Sequence, residues 1–280
     1  PICTVLDACG SGNLYFPQTD NFMSYSFKLC RDVFTLEQLS AFLWSAENDH
    51  ADHIVIVPVT WTVDVNGGAD FTRIQDAVVA SVDGDEVLVM PGTYIWIGTW
   101  TPGYVVNTLG KSILIRSKYG SSVTFIDGEG LYRGVLCQNG GSLATVIDGF
   151  TIRNCIVDNS GGSGLRCENS NLTVLNCNFV SNEIAQGFSG AGGGLLAIGK
   201  STVLIDNCDF ISNVSTFGGG IGAYGCDISI LNCEFRFNRA LGQDQGEGGG
   251  ISFSGGNGGK EISSLLMDNC ILDRNYADYG

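Results

Sequence analysis

A seven-residue phrase, Asn-Cys-x-apolar-x-x-Asn, recurs along the second half of this chain. It runs from Asn176-Cys177 through Phe179 to Asn182, from Asn207-Cys208 through Phe210 to Asn213, and from Asn232-Cys233 through Phe235 to Asn238. A further copy runs from Asn269-Cys270 through Leu272 to Asn275. A looser first copy holds Asn154, Cys155 and Val157, with its final Asn one residue early at Asn159. Self-similarity of this kind marks a stack of units, each burying its apolar side only against its neighbours.

The phrase extends upstream. Phe150, Leu172, Val203, Ile228 and Leu265 lie five residues before the cysteines, and Ile152, Val174, Ile205, Ile230 and Met267 lie three before. Alternation with period two is the pattern of a strand buried on one face. The parity shifts at the Asn-Cys step, which predicts a corner between two strands. A third strand follows glycine runs at Gly192–Gly194, Gly218–Gly220 and Gly248–Gly250, with a shorter run ending at Gly164. Three strands and three corners per turn describe an all-β, right-handed parallel β-helix, since parallel crossovers are almost always right-handed. Successive cysteines at 155, 177, 208, 233 and 270 are 22, 31, 25 and 37 residues apart. The shortest spacing sets the turn, and the excess is loop at Glu183–Ala191, Ala240–Glu247 and Gly255–Ile262.

Residues 1–60 lack the repeat and are read as an N-terminal non-repeat segment, with residues 61–280 as the β-helix. Thr35 and Gln38 predict a helix over about 35–46, with Leu36, Leu39, Phe42 and Leu43 on one face. His53–Val59 reads as a buried strand. Thr72 and Gln75 form a second capping box before an apolar stripe at Ile74, Ala77 and Val78. This helix and the strand after Asp83 resemble the N-terminal cap of the pectin-lyase-like right-handed β-helices, in which an amphipathic helix plugs the first coil. The resemblance spans about 66–155 and implies the fold; that fold hosts lyases, hydrolases, esterases, tailspikes and adhesins. The Phe-x-x-Asn elements ending at Asn182, Asn213 and Asn238, with their glycine-apolar runs, resemble the repeats of polymorphic outer membrane proteins. That resemblance implies a surface-exposed adhesive or structural β-helix. Gly280 falls where earlier repeats run on into glycine, so the last coil is expected to be incomplete and covered by more chain or by a neighbouring copy, end to end.

Charged residues are 15% of the chain and 40 of its 280 residues are glycine, as expected where coils cover coils and corners are tight. A net charge of −15 argues against nucleic acid and anionic membrane as partners. No apolar stretch is long enough to span a bilayer, and no signal peptide is visible at Pro1.

Catalysis on polysaccharides needs clustered carboxylates, or carboxylates beside a base. The candidates are Asp127, Glu129, Asp148, Asp158, Glu168 and Asp206, with Gln138 and Arg153 on the stretch an esterase would use. Asp127 and Asp148 read first as turn residues before glycine. The only histidines, His50 and His53, precede the coils. No zinc-type cysteine pairs or phosphate loop are present, and no cofactor is expected. Cys155, Cys177, Cys208, Cys233 and Cys270 are expected to stack as unbridged buried thiols, because stacked side chains point parallel and the disulfide dihedral near 90° is hard to reach. Cys137 and Cys167 share a second position. Any disulfide is expected among Cys3, Cys9 and Cys30. Asn176, Asn207, Asn232 and Asn269 are expected as a corner ladder of amides. Sequons occur at Asn171 and Asn213; Asn213 occupies a corner column, so Asn171 is the better glycan acceptor. The functional expectation is a non-catalytic structural or adhesive protein, extracellular or at the cell surface, as in a filament or surface layer. Its rivals are a polysaccharide lyase or esterase, and a glycan-binding module.

Overall fold

The computed structural model describes residues 57–278 except 98–102, 141, 143, 159–160, 186–188, 243–245 and 256–262. The helix expected at 35–46, most of the strand expected from His53, both histidines, and Cys3, Cys9 and Cys30 lie outside the described residues.

The unit Pro58–Gly280 is a right-handed parallel β-helix. Its described strands align in four stacks of 8, 7, 5 and 6 strands, here sheets I, II, III and IV, and every pairing among them is between strands one turn apart. One coil shows the plan: Asn171–Leu175 in sheet I, Asn178–Val180 in sheet II, Glu183–Ile184 in sheet III and Leu195–Ile198 in sheet IV. The sequence pattern predicts three strands per turn. The structure adds sheet III, ladders of two residues after the second Asn corner, too short to show a period.

Inward side chains follow the two-residue alternation. Leu172, Val174, Cys177 and Phe179 are buried, as are Val203, Ile205, Cys208 and Phe210, and Ile228, Ile230, Cys233 and Phe235. Phe179, Phe210 and Phe235 stack face to face at centroid spacings of 4.7 and 4.8 Å, the distance between neighbouring strands. In the last described coil the equivalent Leu265 and Leu272 are 36% and 55% exposed, since no further described strand covers them.

The two corners differ. Asn176, Asn207, Asn232 and Asn269 all adopt φ of 52–54°, the left-handed region where Asn is tolerated better than most residues. They are not inward, as parity alone would have them: their side chains face solvent and bond up the stack, with Asn207 Nδ2 donating to Asn176 Oδ1 and Asn269 Nδ2 to Asn232 Oδ1, both at 2.7 Å. At the second corner Asn182, Asn213 and Asn238 are fully buried. Asn213 Nδ2 donates to Phe179 O and Asn238 Oδ1, both at 2.9 Å, while its Oδ1 accepts the Asn182 backbone N–H at 3.1 Å and Asn182 Nδ2 at 3.0 Å. Each amide thus closes the backbone groups that a bend inside a core would orphan.

The cysteine column works similarly on a smaller scale. Cys208 Sγ accepts the Cys177 N–H at 3.4 Å, and Cys233 Sγ donates to Leu231 O at 3.0 Å. Cys155 does not belong to this column. Asn178 pairs with Thr151 and Phe179 with Ile152, so Phe150 occupies the cysteine position and Cys155 the Asn182 position, its N–H donating to Asn182 Oδ1 at 3.1 Å. Gly149, at φ 77°, takes the left-handed corner there, so no Asn marks it.

A helix, α1 (Ile74–Ala80), covers the first coil with Ile74, Ala77 and Val78 buried. The expected capping box does not form: Arg73 is the N-cap and makes no side-chain cap bond. Gln75 instead clamps the edge of sheet IV, accepting the Asn107 N–H at 2.6 Å and donating to its carbonyl at 3.3 Å. Lys111 Nζ donates to the carbonyls of Val78, Val79 and Ser81 at 2.6–2.9 Å, placing a cation at the negative end of the helix.

Candidate functional site

Any lateral site must be built from the outward residues of the strands, which alternate with the core column. On sheet I, Asp148 and Asp206 accept Asn176 Nδ2 and Asn232 Nδ2, each at 2.7 Å; both carboxylates hold the outer corner ladder. On sheet II, Asp127 is buried and pairs with Arg153 at 2.7 Å. It also accepts Asn154 Nδ2 at 3.1 Å and the Glu129 N–H at 2.9 Å. The Arg153 guanidinium lies 4.2 Å from the centre of the Phe125 ring. Glu129 sits in the turn that Asp127 closes, with φ 53°.

On sheet IV, Glu168 pairs with Arg166 at 3.0 Å, and Gln138 lies one strand away in register with Glu168. Arg133 is buried and donates to the carbonyls of Gly161 and Gly162, both at 2.9 Å. Burial first, then the charge of Arg166, pulls its pKa down to about 10, against the opposing pull of Asp158. Asp127, Glu168 and the pair Asp148 and Asp206 therefore lie on three different sheets; Asp148 and Asp206 share one row of sheet I, two strands apart on either side of Leu175.

One convergence was missed. Asp209 and Glu234 are directly paired on adjacent strands of sheet II, with Asn178 in register with Asp209 on the other side. Arg236, two residues on, forms an ion pair with Glu234. Burial, then the Glu234 charge, raises the Asp209 carboxyl above its ordinary range, with Arg236 opposing. The signal lay in the repeat: these residues are the variable position of Asn-Cys-x-Phe, occupied by Asn178, Asp209, Glu234 and Ile271 in turn.

The sequon at Asn213 is corrected by the geometry. Its amide is fully buried in the inner ladder, leaving no room for a sugar. Asn171 is half-buried on sheet I, where its Oδ1 accepts the Thr202 N–H at 2.9 Å. Among the described residues no helix is long and apolar enough to cross a membrane, and no three metal-ligating side chains converge.

The family described as the right-handed β-helix region matches residues 115–280. The chain belongs to this family. The fold is also similar to pectin methylesterase from carrot, at 12% identity and a TM-score of 0.40, with 80% of this chain and 89% of that one covered. No curated protein matches the sequence. In this β-helix, outward rows repeat at the ~4.8 Å strand spacing, so the row Asn178–Asp209–Glu234 places one polar group per coil. Such a row suits repeated hydrogen bonding to an extended ligand. Acid–base chemistry there would rest on Asp209, because Glu234 is held by Arg236.

Proposed function

We propose that this β-helix is a non-catalytic structural or adhesive protein of the extracellular space or cell surface, its outward polar rows serving as contact surface. One observation carries the reading: Asp127, Asp148, Glu168 and Asp206 are each bonded into the scaffold, to Arg153, Asn176, Arg166 and Asn232. A carboxylate so held is a poor free acid or base. The resemblance of the Phe-x-x-Asn repeats to surface-protein repeats supports the same reading.

A second reading, turnover of an acidic polysaccharide, is favoured by the Asp209–Glu234 pair and its neighbour Arg236. The two separate in one experiment. The purified chain is incubated with a panel of acidic and neutral polysaccharides, and new reducing ends, unsaturated ends and released methanol are measured beside retention of the polymer. Retention without product supports the adhesive reading. Product formation abolished by Asp209→Asn would replace it with the enzymatic one.

A further inference from the structure

The second corner of the coil carries an exposed side chain that the bend does not require. The residue before each buried Asn is left-handed there: Ser181, Ser212, Phe237 and Arg274 take φ of 51–58°. Ser181 and Ser212 show that a small residue suffices. A phenyl group at Phe237 adds crowding, since left-handed backbone presses on the side chain, and it gains no burial in return. Phe237 is 44% exposed although a coil lies on either side, with the Ser212 N–H donating to Arg236 O and the Phe237 N–H to Asp273 O at 3.0 and 3.2 Å. Arg236 pairs with Asp273 and Arg239 with Tyr276, so Phe237 stands beside Arg274 in one outward row and Arg239 beside Tyr276 in the next. The Arg274 guanidinium lies 5.6 Å from the centre of the Phe237 ring, and Tyr276 is exposed. Arg239 is exposed too and, alone among the described arginines, has neither a carboxylate nor a carbonyl partner. Two rings and two guanidiniums thus alternate on a two-by-two patch, in a chain with 29 acidic residues and 14 basic ones.

We propose that this corner, formed by Phe237, Arg239, Arg274 and Tyr276, is a binding site for a sugar carrying an anionic substituent, a carboxylate or a sulfate. The inference rests on the adhesive reading above and gives it a location and a ligand class. A guanidinium forks onto an oxyanion through two parallel N–H groups, and an aromatic ring packs against the C–H face of a pyranose. The ~4.8 Å rise per coil is close to the length of one sugar ring, so neighbouring coils meet successive sugars. The backbone offers a peptide no pairing edge: the Arg239 and Tyr276 N–H groups donate to Asn213 O and Asn238 O at 2.8 and 2.9 Å, so a strand cannot add here. The net charge of −15 repels a polyanion from most of the surface, which confines the contact to the few sugars at the arginines.

The test is calorimetry on the full 280-residue chain with hyaluronate oligosaccharides (carboxylate only), sulfated dextran oligosaccharides (sulfate only) and plain dextran. Binding of one or both anionic probes and none of dextran is expected, and the two anionic arms tell carboxylate from sulfate. Arg239→Gln and Phe237→Ser, which installs the residue of the preceding coil, should each weaken binding at least about tenfold. Phe237→Ser should do so without lowering the thermal midpoint, because it relieves the left-handed crowding; a merely structural phenyl group would lower it. Lys118→Gln, which removes an exposed cation elsewhere on the surface, should bind like the parent. Failure to bind either anionic probe, equal binding of dextran, or equal losses in Lys118→Gln and Arg239→Gln would overturn the site. If Phe237→Ser does not fold, Arg239→Gln beside Lys118→Gln decides. Polymer turnover in the panel above would remove the non-catalytic reading and leave this result standing, whereas loss of this site would leave that reading intact.

Discussion

Replacing Asn213 with alanine should be among the most damaging single changes in the molecule, although the position reads as a glycosylation site. Its side chain is buried and makes four hydrogen bonds, to Phe179 O, Asn238 Oδ1, Asn182 N–H and Asn182 Nδ2. Asn238 Oδ1 keeps the Asn213 backbone N–H at 3.0 Å, so it is not orphaned by the change. Two donors are, the Asn182 N–H and one Asn182 amide hydrogen, while the Phe179 carbonyl, which lies within the strand ladder, loses one of its donors. Each buried orphan costs about 1–3 kcal/mol, and with partial relaxation the sum is about 3–5 kcal/mol. The control is Asn176→Ala at the outer corner. There the side chain faces solvent, and the change forfeits the left-handed preference at φ 52° and two solvent-exposed hydrogen bonds, to Asp148 and from Asn207, whose partners water can satisfy, together about 1–2 kcal/mol. Urea unfolding followed by circular dichroism gives both values, provided that the denaturant slopes agree. Equal losses at the two positions would refute the distinction between a structural inner ladder and a surface outer one.

Phe210→Ala removes the middle ring of a stack spaced at 4.7 and 4.8 Å and should cost about 3–5 kcal/mol in the same assay. Asp85 accepts the Val59 and Val82 N–H groups at 2.8 and 2.9 Å and the Trp61 indole at 3.1 Å. Burial alone would raise its pKa, but these bonds and the Lys111 charge outweigh it and hold the carboxyl low. Its contribution is therefore present above the unfolded value of about 3.9 and lost as pH falls through the lower folded value. Asp85→Asn should flatten the acid limb of a thermal-midpoint titration run from about pH 6 to about pH 2. Folded protein from a secretory host should carry no glycan at Asn213, and any N-glycan should map to Asn171 by peptide mass spectrometry.

The core was legible where the repeat is regular, because inward Leu172, Val174, Cys177 and Phe179 and their counterparts carry both the period and the shape of the coil. It was misread at Cys155, where Ile147, Phe150 and Ile152 satisfy an apolar alternation in more than one phase and Gly149 replaces the corner Asn. Sheet III escaped because two residues cannot show a period. Thr72 and Gln75 mimic a capping box, yet tertiary context uses Gln75 to close a strand edge. The acids chosen from turn patterns proved to be scaffold groups. Asp209 and Glu234 were passed over because they fill the position of the repeat that varies, and variation hid their alignment.

The claim that the acids of this β-helix serve its scaffold is tested most directly by the stability of Asp127→Asn beside Asp209→Asn. Asp127 is 7% exposed and holds Arg153, Asn154 and the Glu129 N–H, so its isosteric neutralisation should cost about 1–3 kcal/mol in urea unfolding. Asp209, whose charged form is penalised by burial and by Glu234, should lose nothing at neutral pH or gain. An Asp127→Asn protein as stable as the parent, or more so, would contradict the account and return that carboxylate to the catalytic candidates.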